Sequence, residues 1–226
     1  MMELRAEKIS RDFLRYSAKD GYFTAVAETD FTLAAGTLTA VTGRSGSGKS
    51  TLLHILGGLM KPVTGRVLLD ETDIYALSEA ERDALRRRHI GIAPQRLMSL
   101  AALTVRENIL LPALLTGQEG AAAARADALM ERLGIRKLAS VAPSELSGGE
   151  LRRVTIARAL VMQPDILLAD EPTGDLDEEN TRSVLRLLRE TADAGTAVLL
   201  VTHEREAAAY ADAAYTMTAG KLDKIA

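Results

Sequence analysis

The stretch from Gly43 to Ser50 constrains the fold of this chain more than any other. It consists of Gly43, Arg44, Ser45, Gly46, Ser47, Gly48, Lys49 and Ser50. Apolar TLTAV precedes it and TLLHILGGL follows it, as expected for a strand that turns into a helix. Glycines at this spacing let backbone N–H groups face phosphate oxygens, and the start of the helix adds partial positive charge. The pattern predicts a phosphate-binding loop extending to Thr51, with Lys49 on the β- and γ-phosphates and the Ser50 hydroxyl on Mg²⁺. The alternative is a plain Gly/Ser turn.

Composition narrows the classes of protein to consider. With 226 residues and 47% hydrophobic residues, the chain predicts one sizeable core with a smaller lobe. A formal net charge of -3 makes nucleic acid an improbable main partner. There are no cysteines, which excludes disulfides and thiolate metal sites. No apolar run approaches the roughly 20 residues that span a bilayer, and the first residues lack the apolar centre of a signal peptide. We therefore expect a cytoplasmic location.

The first part of the chain reads as strands joined by turns. We expect strands at Glu3 to Leu14, in VAETDFTLAAG, in TLTAVTG and at Gly65 to Asp70, with RYSAKDGY as a hairpin connection. Ser78 and Glu81 fit a capping box that opens a helix through Arg88. Residues 99–145 change to helix and loop, with Gly134 placed to end a helix.

Strands and helices alternate in the second part. We expect a helix at Leu151 to Met162, a strand in DILLAD, a helix from Glu178 to Ala192, a strand in TAVLLVTH, a helix near Glu204 to Ala211 and a short tail. Two of these strands are apolar enough to be covered on both faces. The pattern predicts an α/β fold built on a parallel sheet.

Polar residues follow the predicted parallel strands. Asp170 ends ILLAD, where a carboxylate can hold Mg²⁺ beside the phosphates. Glu171 comes next; because successive strand residues point opposite ways, we expect only one of the pair on the metal and the other orienting a water. His203 ends AVLLVTH at the same edge, placed to donate to the γ-phosphate. The alternatives are exposed acids and a half-exposed histidine, and Gln95 after GIAP signals little by itself.

The order of GRSGSGKST, Gln95, LSGGE, ILLADEPTGDLD and VTH resembles the nucleotide-binding subunit of ABC transporters. The resemblance runs from about residue 3 onward and implies ATP and Mg²⁺ as cofactors. It implies that Gln95 touches Mg²⁺ and the attacking water, that Glu171 is the catalytic base, and that His203 is the switch histidine. Asp177 matches the aspartate of the D-loop, which crosses the dimer interface in this family. An aromatic residue stacks on adenine in this family, and Phe13 fits best, with Tyr16 the second choice and core packing the alternative.

The resemblance also implies an architecture. We expect residues 1–226 to form a single P-loop NTPase domain. About 1–98 and 147–226 would form a RecA-like core with an N-terminal antiparallel β subdomain, and about 99–146 an inserted helical subdomain.

Several features resemble one branch of the family, the ATPases of lipoprotein release, macrolide and peptide export, haem efflux and cell division. They are PTGDLD, VRENILLPALLTG and the short C-terminal tail. This implies a separate integral membrane permease, a place at the cytoplasmic face of the cell membrane, and an exporter or mechanotransmission complex. An ATP-dependent regulatory or tethering subunit with little transport of its own is the alternative. The stretch from Gln95 to Leu103 is a candidate permease contact, or part of the core of the helical lobe.

A second glycine-rich stretch, LSGGE, precedes the helix that begins LRRVT. Ser147 and Glu150 fit a capping box, but the box does not explain Gly148 and Gly149, which weaken a first helical turn. A helix start without side chains binds anions, so a phosphate would explain both glycines. With one phosphate loop per chain, the resemblance implies a homodimer in which each ATP lies between the loop of one chain and LSGGE of the other.

Overall fold

The structure is a computed structural model, and it describes residues 2–14, 21–96 and 98–225, apart from the side chain of Arg205. Ten strands occur in this part of the chain: β1 (Leu4–Leu14), β2 (Tyr22–Leu33), β3 (Leu38–Thr42), β4 (Thr64–Leu69), β5 (Thr72–Asp73), β6 (Ile90–Ala93), β7 (Ile166–Asp170), β8 (Ala197–Thr202), β9 (Ala213–Thr218) and β10 (Lys221–Lys224). The α-helices are α1 (Lys49–Leu56), α2 (Glu79–His89), α3 (Val105–Leu114), α4 (Glu119–Arg132), α5 (Gly148–Leu160) and α6 (Glu178–Asp193). Tyr16 and most of the expected hairpin connection lie outside the described residues.

The strands form two sheets. A six-stranded sheet has the order β10-β9-β3-β8-β7-β6, and its members pair in parallel except for β10, which is antiparallel to β9. A four-stranded antiparallel sheet has the order β2-β1-β4-β5. The predicted α/β class and the N-terminal antiparallel sheet are confirmed.

Both faces of the central sheet are buried, as the apolar strands predicted. In β7, Leu167 packs with α3 to α6 on one face, and Leu168 packs with α1 and the antiparallel sheet on the other. In β8, Leu200 lies on the same face as Leu167, and Leu199 lies on the same face as Leu168. Side chains alternate along a strand, so a strand that is covered on both sides must be apolar at every position.

Helix boundaries follow local chemistry. Capping boxes open three helices, at Ser78, Thr104 and Ser147. Gly134, at φ +66, ends α4 as predicted: its N–H donates to Glu131 O, and the next N–H donates to Met130 O.

The end of the chain differs from the expectation. The helix expected near Glu204 to Ala211 is a 3₁₀ segment, Arg205–Tyr210. The expected short tail is the pair of strands β9 and β10, and β9 joins the edge of β3. Alternation in AAYTMT is weak, so its pairing with β3 was not readable from the local pattern. The division into a core and a helical subdomain at about 99–146 stays a prediction.

Candidate nucleotide-binding site

The predicted site residues follow strands whose carboxyl ends share one edge of the central sheet. β3 runs into the glycine loop, β7 ends at Asp170, and β8 ends just before His203. β6 ends two residues before Gln95. Because these four strands are parallel, the fold collects residues that are far apart in sequence.

The glycine loop is held against neighbouring backbone. Gly48 is the N-cap of α1, at φ 111, and a Cβ there would lie 1.9 Å from Ala25 O. A Cβ at Gly43 would lie 2.4 Å from Met217 O. Both positions therefore require glycine. Gly48 offers no side-chain cap to α1, so the start of this helix is available to an anion.

Lys49 is buried beneath the loop, with 6% of its surface exposed. Its Nζ donates to Gly43 O at 2.7 Å and to Arg44 O at 3.2 Å, and it lies 3.8 Å from Glu171 Oε1. The ammonium group is therefore held by weak, replaceable partners at the place where phosphate is predicted to bind.

Asp170 and Ser50 form a site that suits a hard cation. Burial raises the pKa of the Asp170 carboxyl above its ordinary value, while a hydrogen bond with Ser50 lowers it and the charge of Glu171 raises it further. Asp170 Oδ1 is buried and has no hydrogen-bond partner among the described residues. An anionic oxygen left unpaired beside a hydroxyl is the donor set that Mg²⁺ prefers.

Glu171 is fixed by several contacts. Its Oε2 accepts from Thr202 Oγ1 at 3.0 Å and from His203 N at 3.3 Å, and lies 2.9 Å from His203 Nδ1. Its backbone has φ 48, so it lies beyond the end of β7. A left-handed turn beyond β7, not strand alternation, therefore aims the Glu171 side chain. That only one acid of the pair holds the metal stays a prediction.

A cavity of about 190 Å³ joins most of these groups. It is lined by Phe13, Phe23, Ala25, Ser45, Gly46, Gly48, Lys49, Ser50, Thr51, Gln95 and Glu171. Its volume is below the roughly 300–1,000 Å³ usual for ligand pockets. A larger cavity of about 560 Å³, beside α4 and α6, contains none of the predicted site residues.

The signature segment is not part of this cavity. Ser147 Oγ accepts from Glu150 N at 3.3 Å, and Glu150 Oε2 accepts from Ser147 N at 2.9 Å. A Cβ at Gly148 would meet nothing within 4 Å, so nothing in the described chain requires glycine there. Gly149 has a reason within the chain, because its Cβ would lie 3.0 Å from Leu176.

Asp177 also lies outside the cavity and caps α6. It accepts from Asn180 N at 2.8 Å, and this bond lowers the pKa of its carboxyl. The structure thus gives Asp177 a local role, and its predicted place at a dimer interface stays a prediction.

Comparison with known proteins identifies the family. The sequence profile described as ABC transporter matches residues 26–174, more than half of the chain. The chain belongs to the ABC transporter family. Together with its relatives, this makes it an ATP-binding subunit and an ATPase.

Its relatives share most of its length. The lipoprotein-releasing system ATP-binding protein LolD of Shewanella sp. (strain MR-4) is 41% identical over 227 residues, which cover 99% of this chain and 96% of LolD. The probable syringafactin export ATP-binding/permease protein SyfD of Pseudomonas syringae pv. syringae (strain B728a) is 41% identical over 92% of this chain but 32% of SyfD. The ATP-binding cassette MJ0796, solved as a post-hydrolysis dimer bound to ADP and Pi, has a TM-score of 0.88 at 28% identity over 99% of both chains.

The sequence did not predict two features of this cavity. Phe23 pairs with Phe13 across β1 and β2 and lines the same cavity. Arg11 lies 4.9 Å from the centre of the Phe13 ring, so one side of that ring is already in contact with a cation. The alternation of FTAVAETDF could have signalled a pocket-facing aromatic at Phe23, but only the cross-strand register shows that it meets Phe13.

Proposed function

We propose that this ABC ATPase dimerises around two ATP molecules and drives a separate membrane complex of the lipoprotein-release type. The match to LolD along almost the full length of both proteins carries this proposal. LolD is named for lipoprotein release, and the match covers 96% of it. The match to SyfD, an ATP-binding/permease protein, covers only 32% of its length. Among the described residues no helix is long and apolar enough to cross a membrane.

The site residues have proposed roles that follow from their contacts. Phe13 stacks on adenine, the loop from Gly43 to Thr51 surrounds the phosphates, and Lys49 exchanges its two carbonyl partners for phosphate oxygens. Ser50, Asp170 and Gln95 would hold Mg²⁺, which neutralises phosphate charge when it is bound.

Glu171 is the proposed general base. Its Oε2 is hydrogen-bonded to Thr202 and His203, so the carboxylate is oriented before a water arrives. His203, with a side chain 64% exposed, is free to leave Glu171 for the γ-phosphate. The charge of the γ-phosphate would then favour the closed dimer, and its loss on hydrolysis would favour opening.

The proposed permease contact is an apolar surface beside Gln95. Met98 and Leu100 are 63% and 49% exposed, and Leu115 at the end of α3 is 69% exposed. Leu115 borders a groove of about 320 Å³ that is also lined by Arg87 and Arg158. Burial lowers the pKa of Arg158, and it has no ion pair among the described residues. These features suit a cytoplasmic segment of the membrane subunit that carries apolar and acidic side chains.

The membrane partner provides the test. The chain is purified with the membrane proteins that bind it, and ATP turnover is measured with and without them. We expect one polytopic membrane protein to copurify and to raise turnover, and Met98→Asp to reduce its recovery at least tenfold. Val63→Asp, at a residue 57% exposed elsewhere, is the matched control. Copurification with low turnover that the partner does not change would instead indicate a tethering subunit.

A further inference from the structure

A buried arginine connects the signature helix to the segment that carries Gln95. Arg152 lies in the second turn of α5 and is 5% exposed. Its Nη1 donates to Gln95 O at 2.8 Å. Its Nη2 lies 3.9 Å from Asp175 Oδ2, and a Cβ at Gly174 would come within 3.4 Å of Nη2. One guanidinium group therefore contacts both the Gln95 segment and the turn between β7 and α6.

Packing does not explain a charge at this position. Burial lowers the pKa of Arg152, while the charges of Asp175, Glu171 and Asp170 raise it. Among the described residues, the only carboxylate within ion-pair distance of Arg152 is that of Asp175, which is 3.9 Å away and largely exposed, and Arg152 Nε has no hydrogen-bond partner. A buried charge with so few partners costs stability, and an apolar side chain of the same length would avoid that cost.

The next residue makes a parallel connection. Arg153 Nη1 donates to Asn180 Oδ1 at the start of α6, and Asn180 also donates to Asp177. Consecutive arginines thus join α5 to two different segments, the one that carries Gln95 and the start of α6. Arg152 differs from Arg153 in reaching the backbone of a residue that lines that cavity.

We propose that Arg152 is a positioning residue for ATP hydrolysis, fixing the backbone at Gln95 and so orienting the Gln95 side chain according to the position of α5. The proposal rests on the role proposed above for Gln95. Because α5 begins at the signature segment, any displacement of α5 when Ser147 meets an ATP on a second chain moves the carbonyl that Arg152 holds. Gln95 would then be aligned only in the closed dimer.

The first experiment compares two arginine variants in the isolated ATPase. Arg152→Met removes the bond to Gln95 O, and Arg125→Met removes an arginine-to-carbonyl bond of the same 2.8 Å length, to Val161 O. We expect Arg152→Met to lower kcat by about tenfold or more, the scale of a hydrogen bond to a charged donor, and to change KM by less than twofold. Arg125→Met should leave kcat within twofold, and Arg152→Lys should restore part of it.

A double-mutant cycle separates positioning from a general structural role. Gln95→Ala keeps the backbone carbonyl and removes the side chain that Arg152 is proposed to orient. In that background Arg152→Met should lower kcat by less than twofold. An equal loss of kcat in both backgrounds, unchanged kcat in Arg152→Met alone, or unchanged kcat in Gln95→Ala would each overturn the proposal.

If Arg152→Met does not fold, Arg152→Gln, whose side chain is too short to reach Gln95 O, takes its place in the same cycle. The double-mutant cycle measures ATP turnover without the membrane partner. The proposed function is tested by copurification of that partner and by its effect on turnover, so failure of one proposal is distinguishable from failure of the other.

Discussion

At the residue scale, the backbone at Glu171 determines how the site is built. A non-glycine residue at φ 48 is uncommon, and such conformations cost of order 1–3 kcal/mol unless their surroundings hold them. Here Glu171 N donates to Val201 O at 2.8 Å, and Thr202 and His203 hold the carboxylate. The turn brings Glu171 to Lys49, a contact that a continued strand would not make.

Glu171→Gln tests the base. The amide keeps the size of the side chain but cannot take a proton from water, so we expect kcat to fall roughly 10²–10⁴-fold. ATP affinity should stay within a few fold, and an ATP-bound dimer should accumulate in size-exclusion chromatography. Glu179→Gln, on an exposed part of α6, is the control. Normal turnover by Glu171→Gln would refute its assignment.

The Asp170 carboxylate should destabilise the fold without a metal and bind Mg²⁺ when it is present. The pKa of Asp170 is higher in the folded chain than in the unfolded chain. As the pH rises, the unfolded chain therefore loses this proton at a lower pH than the folded chain does. At neutral pH the buried, ionised carboxylate then destabilises the nucleotide-free fold. As the pH falls through the raised value the folded chain takes up the proton and the penalty disappears. In chelator, Asp170→Asn should therefore melt at a higher temperature at pH 7, with the difference vanishing near pH 3.8.

The same variant should lose the extra stabilisation that Mg²⁺ and ATP give to the unaltered protein. Thermal melts with ATP, with and without Mg²⁺, measure this. A variant that melts lower than the parent in chelator, or that gains as much from Mg²⁺, would contradict the account of Asp170.

At the element scale, similar helix starts have different surroundings. α2 and α5 open with the same capping box, Ser78 with Glu81 and Ser147 with Glu150. In both, hydrogen bonds from the serine lower the pKa of the glutamate. Only α5 continues with glycine, and Gly148 has open space around it. The local chemistry of the two caps is therefore equal, and the glycines are what distinguish the start of α5.

Paired serine variants test this difference. Ser78→Ala and Ser147→Ala should each lower the free energy of unfolding by about 1 kcal/mol, the usual cost of losing a cap. Only Ser147→Ala should also weaken ATP-dependent dimerisation and lower turnover. Denaturant titrations measure the first effect, and light scattering with ATP the second. Equal dimerisation by both variants would leave LSGGE with a capping role alone.

At the scale of the whole molecule, the nucleotide cavity is built without the signature segment. The cavity of about 190 Å³ contains the glycine loop and Glu171 but no residue of the signature segment. MJ0796, which shares this fold, was solved as a dimer with ADP and Pi. These observations support the proposed sharing of each ATP between the glycine loop of one chain and the signature segment of the other.

Complementation tests whether sites are shared. Chains with Lys49→Ala cannot hold phosphate, and chains with Ser147→Ala cannot complete the site of a partner. In an equal mixture half of the dimers are mixed, and each mixed dimer has one intact site, so we expect roughly a quarter of parental turnover if sites act independently. Each variant alone should be nearly inactive. A mixture no more active than its components would argue against shared sites.

Much of the architecture was predictable because its signals are local. The glycine spacing of Gly43 to Ser50, the capping box at Ser78 and the apolar runs of β7 and β8 each depend on neighbours in sequence. The parallel sheet followed from the apolar runs, whereas the antiparallel N-terminal sheet was expected from the resemblance to a family. The roles assigned to Gln95, Glu171 and His203 came from resemblance to a family and stay predictions for this chain.

The sequence by itself determined the strands β3, β7 and β8, the capped helix α2 and the glycine loop, since those features depend on spacing within a few residues. Tertiary structure decided that the end of the chain adds β9 to the sheet, that Phe23 faces Phe13, and that Arg152 holds the carbonyl of Gln95. Each of these is a contact between segments far apart in the chain, fixed by strand register and packing. Local spacing carries no information about such contacts.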